Sequence, residues 1–430
     1  MLLLVITEAA AGYVCGSICE NACESAGQSV LSEFNAALYA RYGVLALRTN
    51  DTKLSNIASY YIGNSITCEE CIVKPKLTNC QVSSENFPAL NTELFKGQIE
   101  GIGLQTGIYS ILSEKSLKGT ISGLLEALEF ANGLQLSNIE DLENIMADSL
   151  ENADENILSE TDDGENALET ELGSSLLESY NQAVDPDFES TGNSASISNA
   201  LQITLPSTLL ENGPTVSLLL SGGITDFDTS AIACGEYILN YCSSFQNSLE
   251  NTVLKGEIEY ILYGYKSEGK NLSALKRSLF AIRYPLNLKA LYSDPVKMAE
   301  YNSSAGAFLP IPIPFTVFVL ASVEASAKSL EDIDALCSGK EVPFIKGGKG
   351  GTYSEYLRIL LLMLPRDTKM LRLMDIMQMN LTEIDKEAFA FKDFCYGFTM
   401  SAEFEKRLNV SVIDVPSIRK GKITKNCCYQ

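Results

Sequence analysis

The 430-residue sequence contains no histidine and no tryptophan. Without imidazole, the commonest general base and the commonest metal ligand are lost together, so hydrolytic or metal-dependent chemistry would need other groups. Basic residues are missing from one long interval. Between Lys118 and Lys255 there is no Lys or Arg, against 24 Asp and Glu. That interval carries the net charge of −23, and the rest of the chain is close to neutral. A block of one negative sign repels polyphosphates, which argues against nucleic acid as a partner. No alternating calcium loop is present either, since Asp162-Asp163-Gly164-Glu165 lacks the ligand spacing. Residues 137–200 therefore read as a solvated acidic insertion, flexible or partly helical, with a cation-binding or adhesive surface as the alternative.

The start is apolar but incomplete as a targeting signal. Met1 to Ile6 is followed at once by Glu8, without the basic leader of a signal peptide or the ~20 apolar residues of a membrane span. It reads as the last part of a membrane helix whose beginning is missing.

An apolar content of 46% is ample for a core, and the length fits two or three domains or one with a large insertion. Twelve cysteines are scattered along the chain, an even number that suits an extracytoplasmic protein with disulfides. The candidates are Cys68, Cys71, Cys80, Cys234, Cys242, Cys337, Cys395, Cys427 and Cys428, with free buried thiols as the alternative. Cys68-x-x-Cys71 with Cys80, Cys427 and Cys428 lacks the second CxxC of a four-cysteine zinc site. No metal, cofactor or catalytic residue is expected.

The organising stretch runs from Ala9 to Leu47. Cys15, Cys19, Cys23, Ala26, Val30, Phe34 and Ala37 recur at steps of three or four, predicting one long helix with an apolar stripe. Gly43 would end it in the left-handed conformation, and Val44 to Leu47 would form a strand. Cys15, Cys19, Cys23, Ala26 and Val30 form a candidate helix-packing interface, facing either a neighbouring helix or the core of the same chain.

Further along, residues 51–66 predict an amphipathic helix with Leu54, Ile57, Tyr60 and Tyr61 on one side. A Cys-rich loop runs to Cys80, and helix resumes near Leu90 with a glycine interruption at Gly101 to Gly107. Glu257, Glu259 and Ile261 alternate with Ile258, Tyr260 and Leu262, the period-2 pattern of a strand. Leu272 to Tyr292 is helical with a break at Pro285, and Asp294-Pro295 caps the next helix. Tyr301 to Val323 is uncharged but holds Pro310, Pro312 and Pro314, which predicts extended backbone leading into a helix from Phe315. Thr352 and Glu355 form a capping box for a helix ending at Pro365, a second helix covers Met370 to Met379, and Phe391 to Phe404 alternates as a strand. The expected class is α+β: a long N-terminal helix, a mostly helical body with a small antiparallel sheet, and the acidic insertion. The boundaries are 1–48 (stalk helix and first strand), 49–136 (helical part of the body), 137–200 (insertion) and 201–430 (α+β part).

Four stretches carry a resemblance: Ser29 to Leu47, Gly256 to Gly264, Tyr353 to Leu361, and Leu373 to Gln378. They resemble an uncharacterised family of Gram-positive proteins encoded with Tad (Flp-type) pilus genes, DUF5702-like, with a TadE/TadG-like N-terminal helix. The resemblance implies a pilin-like anchor in the cell membrane and an extracytoplasmic body. Its implied partners are other pilus or envelope proteins, and it implies no established biochemical activity. The rival reading is an enzyme, for which Ser273-x-x-Lys276 supplies only a two-residue match without the accompanying motifs.

Overall fold

The computed structural model describes residues 2–66, 73–106, 119–131, 133–134, 229–306, 313–344, 350–385, 388–408 and 419–429. The chain divides into two compact units, Met1–Ile102 with Met374–Gln430, and Gly103–Leu373. The sequence boundaries at 136 and 200, and the acidic insertion, lie outside the described residues.

The first unit opens with helix α1 (Leu2–Leu31) and α2 (Ala36–Tyr42). The single helix expected from Ala9 into residue 42 is thus two. Ser29 and Ser32 turn their hydroxyls onto backbone carbonyls of the last turn, and Asn35 accepts from the Leu38 N–H at 2.7 Å, so a new N-cap competes with continuation. Gly43 ends α2 at φ 69°, ψ 3°, as its sequence predicts. Strand β1 is only Leu47–Arg48. Upstream of it the Gln98 side chain, not a strand, receives the Leu45 N–H (2.8 Å) and donates to the Leu45 carbonyl (2.9 Å).

Helix α3 (Asp51–Ile66) follows as expected, burying Leu54, Ala58, Ile62 and Ile66, although Tyr60 faces outward. The segment read as a Cys-rich loop contains strand β2 (Val73–Ser83), and α4 (Thr92–Thr106) runs unbroken through Gly101 and Gly103.

The second unit contains helix α5 (119–131), α6 (Thr229–Tyr241), α7 (Glu257–Tyr263), α8 (Glu268–Tyr292), α9 (Pro295–Ala305) and α10 (Ile313–Cys337). The two-residue strands β3 (Val342–Pro343) and β4 (Gly350–Gly351) pair antiparallel, followed by α11 (Tyr353–Met363) and α12 (Arg366–Asp385). The division between the units falls within α4 and within α12. Asp294 caps α9 by accepting from the Val296 and Lys297 N–H groups, and the Thr352–Glu355 capping box is formed. Helix α8 continues through Pro285 instead of breaking there.

Residues 257–262, read as a strand, lie in the helix α7, and all seven residues of that helix are buried. Alternation predicts a strand only when one face is wet. Here both faces are buried, and the alternating Glu257 and Glu259 reach backbone donors instead of solvent.

The chain closes back in the first unit with β5 (Phe394–Cys395), β6 (Gly397–Leu408) and β7 (Arg419–Cys428). The main sheet is antiparallel in the order β2-β6-β7. Phe398, Met400, Ala402 and Phe404 alternate along β6 and are buried, giving one apolar face. The described chain is mostly helical with small antiparallel sheets, an α+β protein.

Candidate functional site

Helix α1 changes character along its length. Ile6, Tyr13 and Val14 are 57%, 81% and 50% exposed, and Ala9 and Ala10 are exposed beside them. Ile6, Ala10 and Tyr13 are spaced four and three residues apart, so they share one uncovered apolar face. From Cys15 onward the helix is packed. Cys15, Cys19, Cys23, Ala26 and Val30, the candidate interface, are all buried in one core with α3 residues Leu54, Ala58 and Ile62 and with the apolar face of β6. Of the two packing partners left open by the sequence, this stripe faces its own unit. The uncovered apolar surface lies in the turns before it.

The second unit gathers buried charge around α7. The Glu257 Oε2 accepts from the Ser243 N–H at 2.7 Å, and the Glu259 Oε1 accepts from the Phe245 N–H at 3.3 Å and from the Tyr353 hydroxyl at 2.6 Å. Burial pushes the Glu259 carboxyl up to about 7, while those two hydrogen bonds pull it back toward its usual range. At the other end of α7, Arg372 Nη1 donates to the Ile261 and Leu262 carbonyls at 2.8 and 2.7 Å, satisfying the acceptors that a helix C-terminus leaves open. Lys369 Nζ does the same for the Leu361 carbonyl near the end of α11, at 2.8 Å, and burial lowers its pKa to about 8. Arg283 binds Asp332 (2.8 Å), the Pro343 carbonyl (2.8 Å) and the Tyr356 hydroxyl (3.2 Å), joining α8, α10, β3 and α11. These ionic groups are engaged mainly by backbone amides and carbonyls, which is a structural use of charge. Sequence reading missed them because isolated Lys and Arg in a helix read as solvated residues.

Ser273 is buried within α8 and Lys276 sits one turn further on, half-buried. Cys80, Cys337, Cys395, Cys427 and Cys428 are free thiols, as are Cys15, Cys19 and Cys23; Cys234 and Cys242 are buried and likewise not in disulfides, so the expected bridges are not formed among the described residues. Cys68 and Cys71 lie outside them. No cluster of metal-ligating side chains occurs among the described residues. One described helix, α10, is long and apolar enough to cross a membrane, and 44% of its most apolar window is buried inside the protein. Within the uncharged Tyr301–Val323 stretch, Pro310, Pro312 and Pro314 predict extended backbone up to a helix from Phe315. Helix instead begins at Ile313, with residues 307–312 outside those described.

The fold and these sites define an α+β protein with a helical body built around buried ionic groups and a partly uncovered N-terminal helix. Residues 192–349 and 346–406 match a family of unknown function, DUF5702, and together they cover half of the chain. The protein belongs to this family. No curated protein and no solved structure matches it.

Proposed function

We propose that the protein is a non-enzymatic envelope component, held at the cell membrane by the start of α1 and presenting its body outside, where it acts in assembly or surface contact of a Tad-type pilus. The observation that carries this reading is the uncovered apolar face of Ile6, Ala10 and Tyr13 on a helix whose next turns are firmly seated. An apolar helical face that its own unit leaves bare is stabilised by lipid or by the small-residue helices of neighbouring subunits. The buried charges of the second unit serve its architecture, which agrees with a non-catalytic body. The acidic insertion as a cation-binding or adhesive module is the second reading. It rests on the absence of any basic residue in that stretch.

The test is fractionation of native cells, followed by external protease treatment of intact cells. Recovery in the membrane fraction with the body cleaved from outside is expected, and Tyr13→Glu should shift the protein out of that fraction without altering its melting temperature. A cytosolic, protease-protected protein overturns the proposal.

A further inference from the structure

Helix α1 and strand β7 run side by side in the same direction. The Tyr429 hydroxyl donates to the Leu31 carbonyl, a Cβ built on Gly27 would stand 2.5 Å from the Cys427 Sγ, and Lys425 Nζ lies 3.9 Å from Glu24 Oε2. Each step back along the strand is thus matched by a step back along the helix. Strands advance about 3.3 Å per residue and helices about 1.5 Å, so the stretch from Lys425 back to Lys420 spans about 17 Å. The same distance along α1 leads from Glu24 back to the turn around Tyr13.

At that level the sheet is crowded with positive charge. Lys74 of β2 lies opposite Arg407 of β6, and Lys406 of β6 lies opposite Arg419 of β7. Like charges directly opposite one another destabilise a sheet. The next row is Lys76, Glu405 and Lys420, and beyond it Lys422 lies opposite Glu403. Glu405 comes only to 4.0 Å from Lys420, whose side chain is 79% exposed, and Lys76 and Lys422 are exposed as well. Glu403 and Glu405 are the only acidic residues in these rows, so this end of the sheet keeps a net positive charge. The acidic interval between Lys118 and Lys255 belongs to the other unit.

We propose that these basic rows dock on the anionic headgroups of the bilayer that receives the first turns of α1. The inference rests on the membrane location proposed above and adds the lipid chemistry to it. Ile6, Ala10 and Tyr13 are bare on the side of α1 turned away from the packed stripe, so the helix meets lipid by its end, ahead of the sheet. Lipid entered in this way brings its headgroup layer to the point where the bare turns stop, at Tyr13, and tyrosine is favoured at that depth. Lys76, Lys420 and Lys422 stand at the same level. Near an anionic lipid surface each such cation strengthens binding about fivefold, an effect that salt screens. The like-charge rows, costly within an isolated sheet, gain their counter-charges from the lipid.

The experiment mixes the full chain with vesicles of phosphatidylcholine alone, or of phosphatidylcholine with phosphatidylglycerol, and reads the bound fraction after sedimentation. Tighter binding to the anionic vesicles is expected, and it should weaken as salt is raised. Lys76→Gln, Lys420→Gln and Lys422→Gln should each cost about fivefold on anionic vesicles, and about 100-fold when combined, with binding to neutral vesicles unchanged. Circular dichroism of each variant checks its fold. Tyr13→Glu should weaken binding to both kinds of vesicle, because it acts on the helix and not on the charged rows. Equal binding of the parent chain to both kinds, or an anionic preference kept by the folded variants, overturns this proposal and leaves the membrane anchor standing. Binding to neither overturns both.

Discussion

Replacing Gly103 by alanine tests the packing argument where the structure is least forgiving. In most exposed helix interiors, Gly→Ala stabilises by about 1 kcal/mol, because the helix no longer restrains a residue as free as glycine. Gly101, on the same helix α4, has no atom within 4 Å of where a Cβ would sit, and there the full gain is expected. Gly103 differs. A Cβ at that position would lie 2.0 Å from the Ala233 carbonyl oxygen and 2.7 Å from its carbon, both backbone atoms of α6 that cannot rotate aside. Relief requires moving a helix. Overpacking of this kind costs about 1–3 kcal/mol and more where backbone must shift. Set against the gain of about 1, Gly103→Ala should lose up to about 2 kcal/mol, and more if α6 has to shift, while Gly101→Ala gains up to about 1. Urea denaturation followed by far-UV circular dichroism separates them, and tyrosine absorbance is the second probe because the protein has no tryptophan. Equal midpoints for the two variants, or a Gly103→Ala protein more stable than the parent, would refute the reasoning.

Glu259 makes stability depend on pH. Its carboxyl is raised from 4.5 to about 7 by burial, so the folded state holds a proton that the unfolded state releases. The contribution is full below pH 4.5 and falls by about 3 kcal/mol as pH rises through 7; in Glu259→Gln, melting temperatures between pH 5 and 7.5 should change less than in the parent. Lys369 acts in the opposite sense. Its pKa is lowered from 10.5 to about 8, so its contribution to stability should grow as pH climbs from 8 to 10.5, a rise that Lys369→Met should abolish in the same melts. Arg372→Met leaves the Ile261 and Leu262 carbonyls without their guanidinium donor, and at about 1–3 kcal/mol for each buried acceptor the α7 region should lose its hydrogen-exchange protection.

What the sequence made legible is what local chemistry decides. The Asp294 cap, the Thr352–Glu355 box, the left-handed Gly43 and the 3.6-residue spacing in residues 51–66 act within a few residues, so the helix ends they predict are found in place, whereas the Asn35 cap that splits the first helix was not read. What was not legible depends on distant partners. Strand β2 is a strand because β6, more than 300 residues later, pairs with it, and β7 is likewise set by its register with β6, which places Phe398 opposite Cys427. Alternation misled at Glu257–Leu262 because total burial removes the wet face that gives a period its meaning. The glycines of α4 read as an interruption, yet Gly103 lies where the Ala233 backbone comes closest. For the candidate site, the stripe from Cys15 to Val30 was visible as a face, but only the fold shows that α3 and the sheet cover it. The bare apolar surface of Ile6, Ala10 and Tyr13 lies on the opposite side of α1 from that stripe, and the spacing alone does not tell which of the two sides the fold covers.

The late arrival of β6 has a consequence in time. On a ribosome the chain emerges from its N-terminus, so α1 and β2 are made long before the strand that completes their core. Contacts of such sequence separation form slowly and only once the intervening chain has been released. Throughout synthesis, then, the sulfur-lined face of α1 has no sheet to rest on. A helix kept waiting in this way stays open to whatever machinery handles apolar nascent segments. The first unit can close only after the more than 300 residues between β2 and its partner β6 have been delivered.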